Sequence, residues 1–147
     1  MYFVNREKIE QTLVQMETLL AHYAKLEGET LTLELARQRV AVLLMEGVID
    51  VGNAMIDGFI MRDPGSYEDI VDIMLDENVL DAETARATKE LVLLRAYYVR
   101  QFVEADSTRF ESWVAEWKTT FESFPSRVRR YLEVELGPVS AFLPESE

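Results

Sequence analysis

From Arg6 to Leu26 the apolar positions Ile9, Leu13, Met16, Leu20 and Tyr23 alternate steps of four and three, which gathers them on one face of an amphipathic helix. Gly28 is its stop. A longer segment, Leu31 to Met61, is apolar almost all round, with Leu35, Val42, Leu43, Ile49, Met55, Ile56 and Phe59 covering several faces. Such a helix is predicted to be buried on most sides. Gly47, Gly52 and Gly58 lie inside it and read as points of close helix approach, not as a loop cradling phosphate. "RDPGSYED" then breaks the chain, with Pro-Gly as the turn and Ser66 as the N-cap of a short third helix reaching about Glu77. Asp81 caps a fourth, with Glu83 in its first turn, which runs through "ETARATKELVLLRAYYVRQF" and is expected to end near Asp106. In the fifth segment Phe110, Trp113, Trp117, Phe121, Phe124, Val128 and Tyr131 form an inward aromatic stripe, in which Pro125 either makes a kink or starts a new helix. Gly137-Pro138 ends it and residues 139–147 read as a tail.

Strand patterns, internal repeats and linkers are missing from this reading. The expected fold is all-α, one domain over residues 1–147, an antiparallel bundle of four to five helices. With 147 residues, 48% of them apolar, the chain is long enough to bury a core without disulfides or structural metal. The chemistry available to it is narrow. There is no cysteine, which excludes thiol catalysis, thiolate zinc sites and iron-sulfur clusters, and the one histidine, His22, removes any mechanism that needs two imidazoles. Acidic residues outnumber basic ones 27 to 15, a formal charge of -12, so non-specific coating of nucleic acid is disfavoured and phosphate contacts must be local to a few arginines. No apolar run approaches a bilayer span and the start "MYFVNREKIE" is no signal peptide; a cytoplasmic protein with no membrane partner is expected.

Polar residues on the apolar second helix carry the first chemical signal. Arg39, Glu46, Asp50, Asn53 and Asp57 follow at steps of seven, four, three and four, within one narrow stripe. One reading is the solvated edge of the helix. The other is a polar seam at a cleft or dimer interface, whose carboxylates need a cationic partner because unpaired burial is costly. Arg95, which interrupts the apolar "KELVLLRAYYV", is the candidate cation, with Asp50 as its expected acid. A metal reading is also open. Glu46 and Asp50, with Glu68, Asp69, Asp72 and Asp76 on the third helix, could hold a divalent ion as paired acidic helices do in all-helical nucleotide pyrophosphohydrolases. The usual two acidic pairs, each with two residues between, are not clearly present: Glu7 and Glu10 fit locally, but Glu46 and Asp50 have three between them, so no metal site and no cofactor is assigned. The hydroxyls Ser66, Ser107, Ser112, Ser123 and Ser126 have no glycine-flanked elbow and no recognisable base.

The order of elements, "GVIDVGNAMID", "MRDPGSYEDIVDIM" and "LVLLRAYYVRQFVEAD" together resemble the HepT-like branch of the HEPN superfamily, over nearly the whole chain. Within it, "MYFVNREKIE" and "YLEVELGPVSAF" are similar to the small YutE-like proteins of bacilli. The resemblance implies a dimeric helical bundle related to metal-independent ribonucleases, some of them toxins neutralised by a minimal nucleotidyltransferase that attaches AMP to a tyrosine. The motif implied is an arginine followed, after four to six residues, by histidine, with a tyrosine two positions beyond. Its arginine falls on Arg95, its histidine position on Arg100 and its AMP-accepting tyrosine on Phe102. A guanidinium stays protonated and cannot shuttle a proton, and phenylalanine has no hydroxyl to modify. Tyr97 and Tyr98 offer hydroxyls at positions outside the motif, Ala96 replaces the asparagine that usually follows the arginine, and Asp50 with Asn53 resembles the polar pair of the family's second helix. The resulting expectation is a dimeric interaction or nucleic-acid-binding module with little ribonuclease activity. An active ribonuclease toxin and a metal-dependent nucleotide hydrolase are the alternatives.

Overall fold

The computed structural model describes residues 3–137, and helices account for most of them. They are α1 (Arg6–Tyr23), α2 (Leu31–Gly58), α3 (Tyr67–Asp76), α4 (Ala82–Leu93), α5 (Arg95–Arg100), α6 (Thr108–Phe121) and α7 (Ser123–Leu136). No strand occurs among the described residues. Two pairs are nearly continuous, so the seven segments form five rods. Between α4 and α5 the chain tightens at Leu94, whose N–H donates to Leu91 O at 3.1 Å in an i→i−3 turn. Between α6 and α7 the interruption falls at Glu122. Pro125, in the first turn of α7, supplies the reason: its ring would strike the Phe121 carbonyl in an unbroken helix and it has no N–H to offer that oxygen.

The expected stripes are the buried ones except at Leu35, in the first turns of α2, which is 56% exposed. Ile9, Leu13, Met16 and Leu20 of α1 are at most 6% exposed, and α2 buries residues on most of its circumference. On α6 and α7 the rings of Phe110, Trp113, Phe121 and Phe124 follow one another at 5.6, 5.1 and 5.5 Å between centroids, and Tyr23 of α1 meets Phe110 edge-on at 5.0 Å. Two of the α2 glycines sit where another helix presses close, while Gly58 faces Val4 of the segment before α1. A Cβ on Gly47 would stand 2.7 Å from the Met16 sulfur, and one on Gly52 would overlap Ile70 of α3. Caps are as the sequence predicts at two starts: Ser66 Oγ accepts from Asp69 N–H at 3.1 Å and Asp81 Oδ1 from Thr84 N–H at 3.1 Å.

The fourth helix differs from expectation both in its break at Leu94 and in its end. The helix that was to reach Asp106 stops at Arg100, and residues 101–107 turn the chain into α6. The turn is held by side chains. Tyr98 Oη donates to Asp106 O at 2.8 Å and accepts from Phe110 N–H at 3.0 Å, Asp106 N–H donates to Tyr97 Oη at 3.1 Å, and Ser107 N–H donates to Glu34 Oε1 at 2.6 Å. Four backbone groups of the turn and of the start of α6 are thus satisfied by side chains. The expected tail, 139–147, lies outside the described residues.

Candidate functional site: the arginine of α5

Arg95 is the first residue of α5, placed against the middle of α2 and the start of α3. Its Nε donates to Glu46 Oε1 at 2.6 Å, and the centre of its guanidinium lies 4.5 Å from the Tyr67 ring centroid. The pairing of Arg95 with an acid of the polar stripe is therefore present, but the acid is Glu46 and not Asp50. Asp50 sits one turn further along α2, with a side chain one methylene shorter, and is exposed. Glu46 and Arg95 are half-buried, with side chains 39% and 22% exposed. The Glu46 hydrogen bond raises the Arg95 pKa above its already high value, against a smaller effect of partial burial. Among the described residues only Nε of this guanidinium donates to the protein. Its two terminal nitrogens, with four N–H donors, are uncommitted.

The remainder of the stripe faces outward: Arg39, Asn53 and Asp57 are exposed. Arg100 is exposed at the other end of α5, about 140° round the helix from Arg95, and Phe102 lies 70% exposed in the turn beyond. The neighbouring tyrosines are engaged. Tyr98 is 5% exposed with its hydroxyl bonded on both sides, and burial pushes its pKa up. Tyr97 is half-buried and its ring carries Arg109, whose guanidinium centre is 3.7 Å from the centroid. Of the two, Tyr97 is the more exposed, and its hydroxyl accepts from Asp106 N–H. His22 is exposed in the last turn of α1. The short loop after it leads to the start of α2, and Glu46 lies roughly four helical turns further on, so the imidazole is far from Arg95.

Most of the acids proposed for a metal are paired with cations, Glu46 with Arg95 as above. Asp69 takes Arg62 through both oxygens at 2.7 Å, Asp76 approaches the same guanidinium at 3.8 Å, and Asp72 pairs with Lys89 at 3.1 Å. Among the described residues no three His, Asp or Glu side chains converge as a metal-binding group. Two residues of the site region were not singled out from sequence, Tyr67 and Arg109. The available signal for Tyr67 was an aromatic residue immediately after the Ser66 cap, at a position where a core role is unusual.

Residues 9–128 match the family model described as "Ribonuclease HepT-like". The chain belongs to the HepT-like ribonuclease family. Over 143 residues it is 48% identical to a Bacillus subtilis (strain 168) protein named "Putative RNase YutE", covering 97% of this chain and 99% of that protein. The solved structure of Bacillus subtilis YutE, described as a cytosolic protein of unknown function, has a TM-score of 0.88 and 47% identity, covering 97% of this chain and 100% of that one. The HepT-like bundle is thus shared along its length. No helix among the described residues of this member is long and apolar enough to cross a membrane.

Proposed function

We propose that this HepT-like protein is a dimeric RNA-binding module with little or no ribonuclease activity, and that Arg95 supplies its phosphate contact. The observation that carries the reading is the state of Arg95: oriented by Glu46 and Tyr67, with its terminal nitrogens unused and no imidazole beside it. Such a guanidinium can grip two phosphate oxygens at once. Cleavage needs more than grip. The 2′-hydroxyl must lose a proton and the leaving oxygen must gain one, and Arg100, at the histidine position, stays protonated throughout. Phe102 likewise offers no hydroxyl for AMP, so neutralisation by a minimal nucleotidyltransferase would have to use Tyr97. Binding through so few cations on a chain of charge -12 is weak and falls steeply with salt.

The active ribonuclease is the second reading, and the family's name favours it. In that case Arg95 and Arg100 would stabilise charge on the pentacoordinate phosphate while another group activates the 2′-hydroxyl. Purified protein incubated with structured and unstructured RNA in the presence of a chelator separates the two. We expect RNA retention at low salt, lost in Arg95→Ala, and no cleavage. Metal-independent cleavage abolished by Arg95→Ala would overturn the proposal in favour of the toxin-like enzyme.

A further inference from the structure

Residues 62–69 are more tightly built than a turn between two helices requires. Arg62 grips both oxygens of Asp69 at 2.7 Å, Gly65 N–H donates to the same carboxylate at 2.9 Å, and Ser66 Oγ caps the Asp69 amide at 3.1 Å. One carboxylate in the first turn of α3 therefore holds the Pro64-Gly65 turn, the Arg62 side chain and the helix start in one arrangement. Tyr67 is the residue so placed. It is 45% exposed, so its ring is not there to fill the core, and among the described residues the group against its ring is the guanidinium of Arg95.

The two groups that touch Arg95 come from different elements and restrain different motions. Glu46, from α2, fixes the position of Nε but leaves the flat guanidinium able to swing about that hydrogen bond. A ring laid against its face, from α3, removes the swing. We propose that Tyr67 is a positioning residue for Arg95: by stacking it sets the plane in which the terminal nitrogens meet a phosphate of single-stranded RNA, and the Arg62–Asp69 pair holds Tyr67 in place to do so. The ligand in this statement rests on the RNA-binding reading above; the stacking of Tyr67 on Arg95 does not.

The test reads the two parts separately on the full chain. The Nε–Hε signal of Arg95, assigned by its loss in Arg95→Lys, reports the order of the guanidinium in nitrogen-edited NMR. Fluorescence anisotropy with a labelled oligouridylate reports binding. Tyr67→Phe keeps the ring face and is expected to keep both the signal and the affinity. Tyr67→Ala is expected to broaden the signal through solvent exchange and to weaken the oligouridylate by roughly 2- to 30-fold, the range of a lost cation–π contact. Asp69→Asn, which touches neither the Tyr67 ring nor the Arg95 guanidinium, should move the signal part-way in the same direction; an unmoved signal removes the Arg62–Asp69 pair from the proposal. An unchanged Arg95 signal in Tyr67→Ala, or equal losses in Tyr67→Phe and Tyr67→Ala, would overturn it. If the signal responds as expected but no form of the protein binds the oligouridylate, the positioning role stands and the RNA-binding reading falls.

Discussion

At the scale of single residues, the position of one proton in the core sets a measurable cost. Tyr23 turns its hydroxyl into a region crowded with polar groups, where Arg37 donates to Leu26 O at 2.8 Å and Ser107 Oγ at 3.2 Å and stands 3.3 Å from Glu111. None of them reaches it. The Tyr23 oxygen is buried without a hydrogen-bond partner among the described residues. Burial first, and the Glu111 charge second, push its pKa from 10.0 up to about 12. Since the folded value is the higher one, the unfolded chain loses this proton first, and stability declines as pH rises from about 10 to about 12. We expect Tyr23→Phe to be stabilising by about 1 kcal/mol in urea melts at neutral pH, because the change deletes an unsatisfied group and keeps the ring on Phe110. The alkaline decline should shrink but not vanish, since the Tyr98 hydroxyl is also pushed up by burial. A loss of more than about 1 kcal/mol would instead mean that a buried water satisfies the hydroxyl. The same scale shows what could not be read ahead. Glu46 and Asp50 stand on one stripe at helical spacing, so both were visible as partners for Arg95. Choosing between them needs the height at which α5 crosses α2, a property of packing between distant segments.

At the scale of elements, two helices end in the same way with different residues. After α2, Ile60 has φ 55° and Met61 N–H bonds back to Ile56 O at 3.0 Å; after α3, Asn78 has φ 61° and Val79 N–H bonds back to Met74 O at 2.8 Å. Both are left-handed caps that return the chain on itself. Asparagine tolerates that backbone, whereas a β-branched side chain meets the following carbonyl at a cost of about 1–2 kcal/mol. Ile60 is 75% exposed, so little burial offsets the strain. Ile60→Gly is therefore expected to raise stability by about 1 kcal/mol, or the melting temperature by about 2–4 °C. Calorimetry showing no gain would mean that the exposed isoleucine makes a compensating contact in solution. The helices themselves were largely legible, because steps of three and four separate buried from exposed sides without reference to the rest of the fold. Their interruptions were less so. Pro125 announced a break near α7, but the turn at Leu94 lies inside "LVLLRAYYV", where no glycine or proline marks it. The early end at Arg100 depends on Tyr97 and Tyr98 reaching forward to residues 106 and 110, contacts that have no local signature.

At the scale of the whole molecule, the fold ties together two segments that each carry exposed apolar side chains. Gln38 Nε2 donates to Ala105 O at 3.3 Å and Ser107 N–H donates to Glu34 Oε1 at 2.6 Å, which fastens the first turns of α2 to the end of the 101–107 turn. Exposed large apolar residues lie in the two segments so joined: Leu31 and Leu35 at 72% and 56%, Phe102 and Val103 at 70% and 85%. On a chain of this acidity, charge alone keeps molecules apart, so an apolar surface that persists against it is costly unless another surface covers it. A second copy of the chain is the occupant the proposed dimer supplies. Phe102 is informative here, since a phenylalanine 70% exposed has a side chain suited to burial in an interface and to nothing covalent. We expect the double variant Phe102→Glu/Val103→Glu to sediment as a monomer at concentrations where the unmodified protein sediments as a dimer. Its far-ultraviolet circular dichroism should be unchanged, because neither side chain contributes to the core. The new carboxylates would be desolvated without a cation on both sides of a two-fold contact, a penalty of several kcal/mol that such an interface cannot absorb. If the double variant and the unmodified protein sediment alike, as dimers or as monomers, the contact surface is elsewhere or absent, and a cleft between two copies ceases to be the setting for Arg95.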